Sequence, residues 1–242
     1  MAGFLYAIDA GCDAIEFDVL VTRDDALVAC HDPVLKRRVL MPWKHSRTVR
    51  RLSLEELSLA DCGSRRNLRF RRQKPVPGAR IPALREIFEL ASRGDFGFDV
   101  EVKCFPQRPN LAPPPGRIAE LLVAEIEFAR VASRVTVLSF DYRVLRALRG
   151  AAPQIRTAAL YEFGPRDFVS IAREAEAEII APYHRLVTPR RVDAAHCAGV
   201  KVLPWTANRP RDWNRLIRAG VDGIVTDDPA GLIAFRERPP RV

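Results

Sequence analysis

Long apolar runs are missing from this 242-residue chain. None approaches the ~18 residues of a membrane span, and no charged-then-apolar leader precedes a cleavage site. A soluble protein of the cytoplasm, without an integral membrane segment, is the expectation that follows. Paired cysteines are missing too. Cys12, Cys30, Cys62, Cys104 and Cys197 are odd in number, widely scattered and without any Cys-x-x-Cys. That excludes a disulfide framework and a zinc knuckle, and suits free thiols in a reducing compartment. Low-complexity sequence is confined to Pro113-Pro114-Pro115, and no internal repeat is visible. The basic run Arg65, Arg66, Arg69, Arg71, Arg72, Lys74 is not interleaved with a series of aromatics. It therefore reads as a solvated loop and not as a nucleic-acid partner surface.

What is present is enough apolar residue for one sizeable core, 48% of the chain, and residues 1–242 are read as a single unit. The formal charge of +9 favours anionic partners such as phosphates without naming one. Oligomeric state is not legible.

Two stretches organise the rest. In Ile15-Glu16-Phe17-Asp18-Val19, period two puts the apolar residues on one face and both carboxylates on the other. In Phe96 to Lys103 the same alternation sets Phe96, Phe98, Val100 and Val102 against Asp99, Glu101 and Lys103. Adjacent carboxylates repel and are costly to bury without a partner. Such strands suit a parallel barrel with helices outside and polar groups at the inner strand ends.

In order, residues 2–10 read as a helix stopped by Gly11, 14–19 as a strand, and 26–30 as a shorter strand that delivers His31. Residues 33–80 are an irregular insertion with one short helix at 53–57, where Ser53 and Glu56 form a capping box. A helix over 83–92 and a strand over 96–102 follow. Thereafter helices (117–130, 141–149, 166–175, 188–198, 209–220 and one from Ala230) alternate with strands (135–138, 157–160, 179–181, 200–205, 223–226). This predicts an α/β fold with seven parallel strands, one fewer than a TIM (β/α)8 barrel.

These residues resemble the glycerophosphodiester phosphodiesterase family. The resemblance rests on Ala10 to Val19, Thr22 and His31-Asp32, then Ile81-Pro82-Ala83-Leu84, Val100-Glu101-Val102-Lys103 and Ser139-Phe140-Asp141. It continues with Trp205-Thr206-Ala207-Asn208 and Val221 to Asp227. It implies a TIM barrel that binds one divalent cation and hydrolyses glycerol phosphodiesters. By position it makes Glu16, Asp18 and Glu101 the metal ligands, a hard-oxygen set that suits Mg²⁺ or Ca²⁺ over zinc. Lys103 would hold the phosphate, Trp205 would wall the glycerol, and His31 would be one of two acid–base histidines. The family opens with a strand ending His-Arg-Gly, whereas Met1 falls at the following turn or helix. The first strand and first histidine are thus expected to lie outside these residues; the rival is a degenerate member that binds without turnover. A related phospholipase would need an apolar rim, and no amphipathic membrane stretch is apparent.

Without the resemblance, Glu16 and Asp18 could equally be salt-bridged to barrel arginines, and Trp205 could be core. His184, just after a strand, reads as a surface histidine near the loop side, and His45 and His196 as structural or solvated. The insertion is expected to shape the mouth of the pocket.

Overall fold

Alternating apolar residues at 15, 17 and 19 and at 98, 100 and 102 are all buried, and they form the inner layer between sheet and helices. The computed structural model describes residues 1–35, 39, 47–66 and 73–237. Helix α1 (Ala2–Asp9) leads into strand β1 (Ala14–Val21), which turns back through β2 (Leu27–Ala29). A two-stranded ribbon, β3 (Val34–Leu35) and β4 (Arg47–Thr48), and helix α2 (Leu54–Ser58) lie in the insertion. Then follow α3 (Leu84–Phe88), β5 (Gly97–Val102), α4 (Pro115–Ala129), β6 (Val135–Ser139) and α5 (Tyr142–Ala151). The chain closes with β7 (Arg156–Tyr161), α6 (Phe168–Ala175), β8 (Ile179–Pro182), α7 (Pro189–Cys197), β9 (Lys201–Val202), α8 (Pro210–Arg218) and α9 (Pro229–Arg236).

The sheet order is β2-β1-β5-β6-β7-β8-β9, parallel throughout except for β2. The sheet is rolled into a barrel wall. Phe140 after β6 and Trp205 beyond β9 bring their rings within 5.6 Å, although three strand spacings on a flat sheet would separate them by about 14 Å. Inside the roll, Leu138, Ala158, Leu160, Ile179, Ala181, Leu203 and Trp205 form an apolar cluster separate from the outer core. The inner face of β1 and β5 is acidic instead. The lumen therefore has one apolar wall and one charged wall.

Helix termini follow their sequence signals. Ser53 accepts from the Glu56 amide while Glu56 accepts from the Ser53 amide, the expected capping box. Asp141, Asp167, Thr188 and Asp228 each cap a helix through their side chains.

Three expectations are corrected. The helix read over 83–92 is α-helical only to Phe88 and tightens into a 3₁₀ turn over Glu89–Arg93. The strand read over 200–205 is regular only at Lys201–Val202, with Trp205 joined to Tyr183 by an isolated bridge. Residues 223–226 are not a ladder strand. They run beside 202–207, held where the Asp222 amide donates to Val202 O, that of Val225 to Pro204 O and that of Ala207 to Val225 O. Six parallel strands are thus paired. Among the described residues, no strand lies between 222–227 and the first half of β1. A cavity of about 1040 Å³ opens there, lined by residues including Ala7, Glu16, Asp99, Thr206, Val225 and Leu232. With no pairing partner on that side, a regular ladder has nothing to impose it.

The insertion is fastened over one edge of the barrel. Leu35, Val49, Leu52, Leu57 and Ile81 pack on Leu20 and Val28 as a small second core. Arg50 reaches back to Asp25 at 2.9 Å and to the Thr22 carbonyl. His45 and much of the basic run lie outside the described residues.

One side chain ties the foot of the wall together. Arg134 donates to the carbonyls of Phe96 (2.8 Å), Ala91 (3.0 Å) and Gly94 (2.6 Å), and its guanidinium stacks over Phe96 and Phe98. Replacing it by alanine removes three charge-assisted donors at once. Urea denaturation of Arg134→Ala is expected to show a loss of about 2–4 kcal/mol; a loss within experimental error would refute the clamp.

Candidate active site

Parallel pairing of β1 with β5 sets Glu16 opposite Asp99 and Asp18 opposite Glu101. Because both strands turn the same parity inward, four carboxylates share one wall of the lumen. Each of Glu16, Asp18 and Glu101 offers an oxygen within 4.8 Å of the other two. The Lys103 amide donates to Val19 O, which keeps Lys103 in register with β1 after β5 has ended. Its Nζ lies 2.8 Å from Asp18 Oδ1 and also pairs with Glu101 Oε1.

The electrostatics follow from that crowding. Glu16 is partly exposed to the cleft it lines. Burial, and then the charges of Asp18 and Glu101, push its carboxyl well above the ordinary range, against the pull of Lys103. Glu101, which is buried, is raised by desolvation and by Asp18 despite its contact with Lys103. Burial disfavours the Lys103 ammonium, but Glu101 and Asp18 outweigh burial and raise its pKa. One ammonium does not neutralise three carboxylates. A divalent cation would supply the missing charge, and all three donors are oxygen, which fits Mg²⁺ or Ca²⁺. Below this layer, burial raises Asp99 from 3.8 to about 6, opposed by its hydrogen bond to Thr136 and by the charge of Arg156.

The other expected residues fall around this centre. The Cys30 amide donates to Asp18 O at 3.0 Å, so His31 enters beside Asp18. Its ring is 72% exposed, and Nδ1 lies 2.9 Å from Asp32 Oδ1, which leaves Nε2 for other partners. Trp205 stands on the apolar wall, its indole N–H donating to Ala181 O at 2.8 Å. The remaining described histidines are engaged elsewhere. His184 is buried and not on the surface as read: its ring packs on Tyr183, and Arg215 donates to its carbonyl. His196 pairs with Asp222 at 2.9 Å.

Sequence reasoning left Phe140 and Tyr183 unassigned. Both rings contact Trp205, at 5.6 and 5.8 Å between centroids. The available signal was position, since each directly follows the C-terminal end of a barrel strand. Ser139 holds that corner by donating to Val102 O at 2.9 Å and accepting from the Asp141 amide.

Comparison with known proteins shows the family and the fold. The sequence pattern of the glycerophosphoryl diester phosphodiesterase family matches residues 1–231. A glycerophosphodiester phosphodiesterase of Caldanaerobacter subterraneus is 35% identical over 233 residues, covering 96% of this chain and 89% of that one. A crystal structure from Silicibacter pomeroyi bearing the same family name superposes with a TM-score of 0.89 at 28% identity, covering 97% and 86%. A phosphodiesterase of Oleispira antarctica, solved with the product sn-glycerol-3-phosphate, gives a TM-score of 0.80 at 19% identity over 98% and 90%, a likeness of fold. Among the described residues no helix is long and apolar enough to cross a membrane.

Two expectations follow. Raised carboxyls hold protons that a cation must displace, so Mg²⁺ or Ca²⁺ affinity should rise as pH climbs above the ordinary carboxylate range, with net proton release. Calorimetry in buffers of different ionisation enthalpy reads this directly, and pH-independent affinity would refute it. Asp99, raised in the fold, binds a proton more tightly folded than unfolded, so its contribution to stability falls as pH climbs from about 4 to 6. Asp99→Asn should therefore match wild type near pH 4 and exceed it by about 1–3 kcal/mol at pH 8. Denaturant titrations at both pH values test this; equal stability at pH 8 would contradict it.

Proposed function

The chain belongs to the glycerophosphoryl diester phosphodiesterase family, and from that premise we propose that it hydrolyses glycerophosphodiesters to glycerol 3-phosphate and an alcohol. The observation that carries the reading is the convergence of Glu16, Asp18, Glu101 and Lys103 from two neighbouring strands into one charged centre. A purely structural ion cluster would be expected to balance its charges. Here three carboxylates face one ammonium, an arrangement suited to a cation and an anionic substrate arriving together.

Glu16, Asp18 and Glu101 would hold one divalent cation, Mg²⁺ or Ca²⁺. When bound, such an ion neutralises charge on phosphoryl oxygens. Lys103, whose raised pKa keeps it cationic at neutral pH, would donate to a phosphate oxygen that replaces part of its present carboxylate contact. Trp205 would pack against the glycerol carbons, its ring orientation locked by the bond to Ala181 O. His31, exposed beside Asp18 and braced by Asp32, would carry a proton to or from the reacting oxygens. Overall one water is consumed: its oxygen stays on phosphorus, the P–O bond to the alcohol breaks, and the alcohol leaves with a proton. The substrate is a small molecule, and the 35% identical relative named for this activity favours turnover over binding alone.

Glu16→Gln keeps the shape and removes the charge. Release of glycerol 3-phosphate from glycerophosphocholine should fall by at least about a hundredfold, with weakened Mg²⁺ binding in calorimetry. Undiminished turnover in the variant, or in excess chelator, would sink this assignment.

A further inference from the structure

At the corner between β6 and α5 stands an ion pair that the proposed chemistry does not use. The Asp141 side chain is 6% exposed, while the Arg143 side chain that it holds is 52% exposed. The grip is two-pronged: Arg143 Nε donates to Asp141 Oδ1 at 2.9 Å, and Nη2 donates to Oδ2 at 2.7 Å. Asp141 is also the N-cap of α5 and accepts from the Arg143 amide at 3.2 Å. Helix amides already stabilise a capping aspartate, and a cation in the first turn opposes the helix dipole. Capping therefore does not explain the arginine.

This corner is tied to the end of β5. Ser139 donates to Val102 O at 2.9 Å and accepts from the Asp141 amide at 3.1 Å. The thiol of Cys104, the residue after Lys103, hydrogen-bonds the Asp141 carboxylate. On the other side Phe140 brings its ring within 5.6 Å of Trp205. The corner that carries Arg143 thus joins the strand end of Lys103 to the wall assigned to the glycerol. Two of the five guanidinium N–H groups are engaged by Asp141. Those left on Nη1 and Nη2 have no oxygen acceptor among the described residues. A guanidinium braced in this way is a preorganised donor, because its rotamer is fixed before a ligand arrives.

We infer that Arg143 reads the alcohol half of the substrate, and that the site favours glycerophosphodiesters whose alcohol carries a carboxylate. The inference rests on the proposed hydrolase reading for the placement of the diester. With the phosphate on Lys103 and the glycerol on Trp205, the alcohol leaves through the mouth past the β6–α5 corner, where the free N–H groups of Arg143 meet its carboxylate. The neighbouring rim is basic as well, since Arg185, Arg190 and Arg209 are exposed on the loops after β8 and β9. Their pull on an anion acts at a distance and is screened by salt, whereas a hydrogen-bonded fork acts at contact.

The test compares sn-glycero-3-phosphoserine with sn-glycero-3-phosphoethanolamine, which differ only in the serine carboxylate. With Mg²⁺ present, release of glycerol 3-phosphate gives kcat/KM for each, and their ratio does not depend on how much of a variant is folded. A preference of about tenfold for the serine diester is expected, expressed mainly in KM. Arg143→Gln should bring the ratio toward one. Arg143→Lys, which keeps the charge and loses the fork, should lose most of the preference. A wild-type ratio of one, or a ratio that Arg143→Gln leaves in place, overturns the inference. A preference that high salt removes equally from wild type and Arg143→Gln belongs to the basic rim as a whole, and overturns it likewise. If neither diester is hydrolysed, the hydrolase reading fails, while calorimetric Kd values for the two diesters in the same variants still decide the role of Arg143.

Discussion

Repulsion among Glu16, Asp18 and Glu101 is the constraint on which the rest depends. Three carboxylates within 4.8 Å are tolerable only if something positive holds them. Lys103 does part of this from the same wall, and its raised pKa records how strongly the acids need it. The negative charge that remains is what the proposed cation would meet. The parallel β1–β5 register creates this situation, because it sets acid opposite acid at two successive levels.

The barrel answers the charged wall with an apolar one. Leu138, Leu160, Ala181 and Leu203 fill the opposite side of the lumen and leave the charges few ways to escape into neutral hydrogen bonds. A lower local dielectric strengthens each contact at the centre. It also accounts for Asp99, one level down, whose carboxyl is raised to about 6 although Thr136 and Arg156 assist it. Toward the mouth the apolar wall continues as aromatic rings, so a ligand seated on the charged centre has its other end against carbon.

Order is distributed unevenly around the ring. From β1 through β8 every strand has two neighbours or is sealed by the insertion core, and pairing there is regular. Toward 222–227 regular pairing gives way to single backbone bonds beside a cavity of about 1040 Å³. Glu16 borders that cavity, so the best-packed and the most open parts of the wall meet at a proposed metal ligand.

Most elements were legible because their signals are local. The capping box at Ser53–Glu56, the period-two strands at 15–19 and 96–102 and the alternation of helix with strand depend on residues a few positions apart. The ordered motifs also named Glu16, Asp18, Glu101, Lys103, Trp205 and His31 as candidates, and of these Glu16, Asp18, Glu101 and Lys103 lie together in the fold. Misreadings arose where neighbours far along the chain decide. Residues 223–226 have strand composition, but composition says nothing about which neighbours the segment meets or how regularly it pairs with them. His184 looked like a loop histidine until Arg215 and Tyr183 enclosed it. By itself the sequence determined which residues alternate, cap and carry charge, since propensity and periodicity act over one or two turns of chain. Only the tertiary structure decided that Phe140 and Tyr183 join Trp205, and that the acids meet one lysine opposite an apolar wall. Those distances are set by strand register and by the curvature of the sheet, which bring together residues dozens of positions apart.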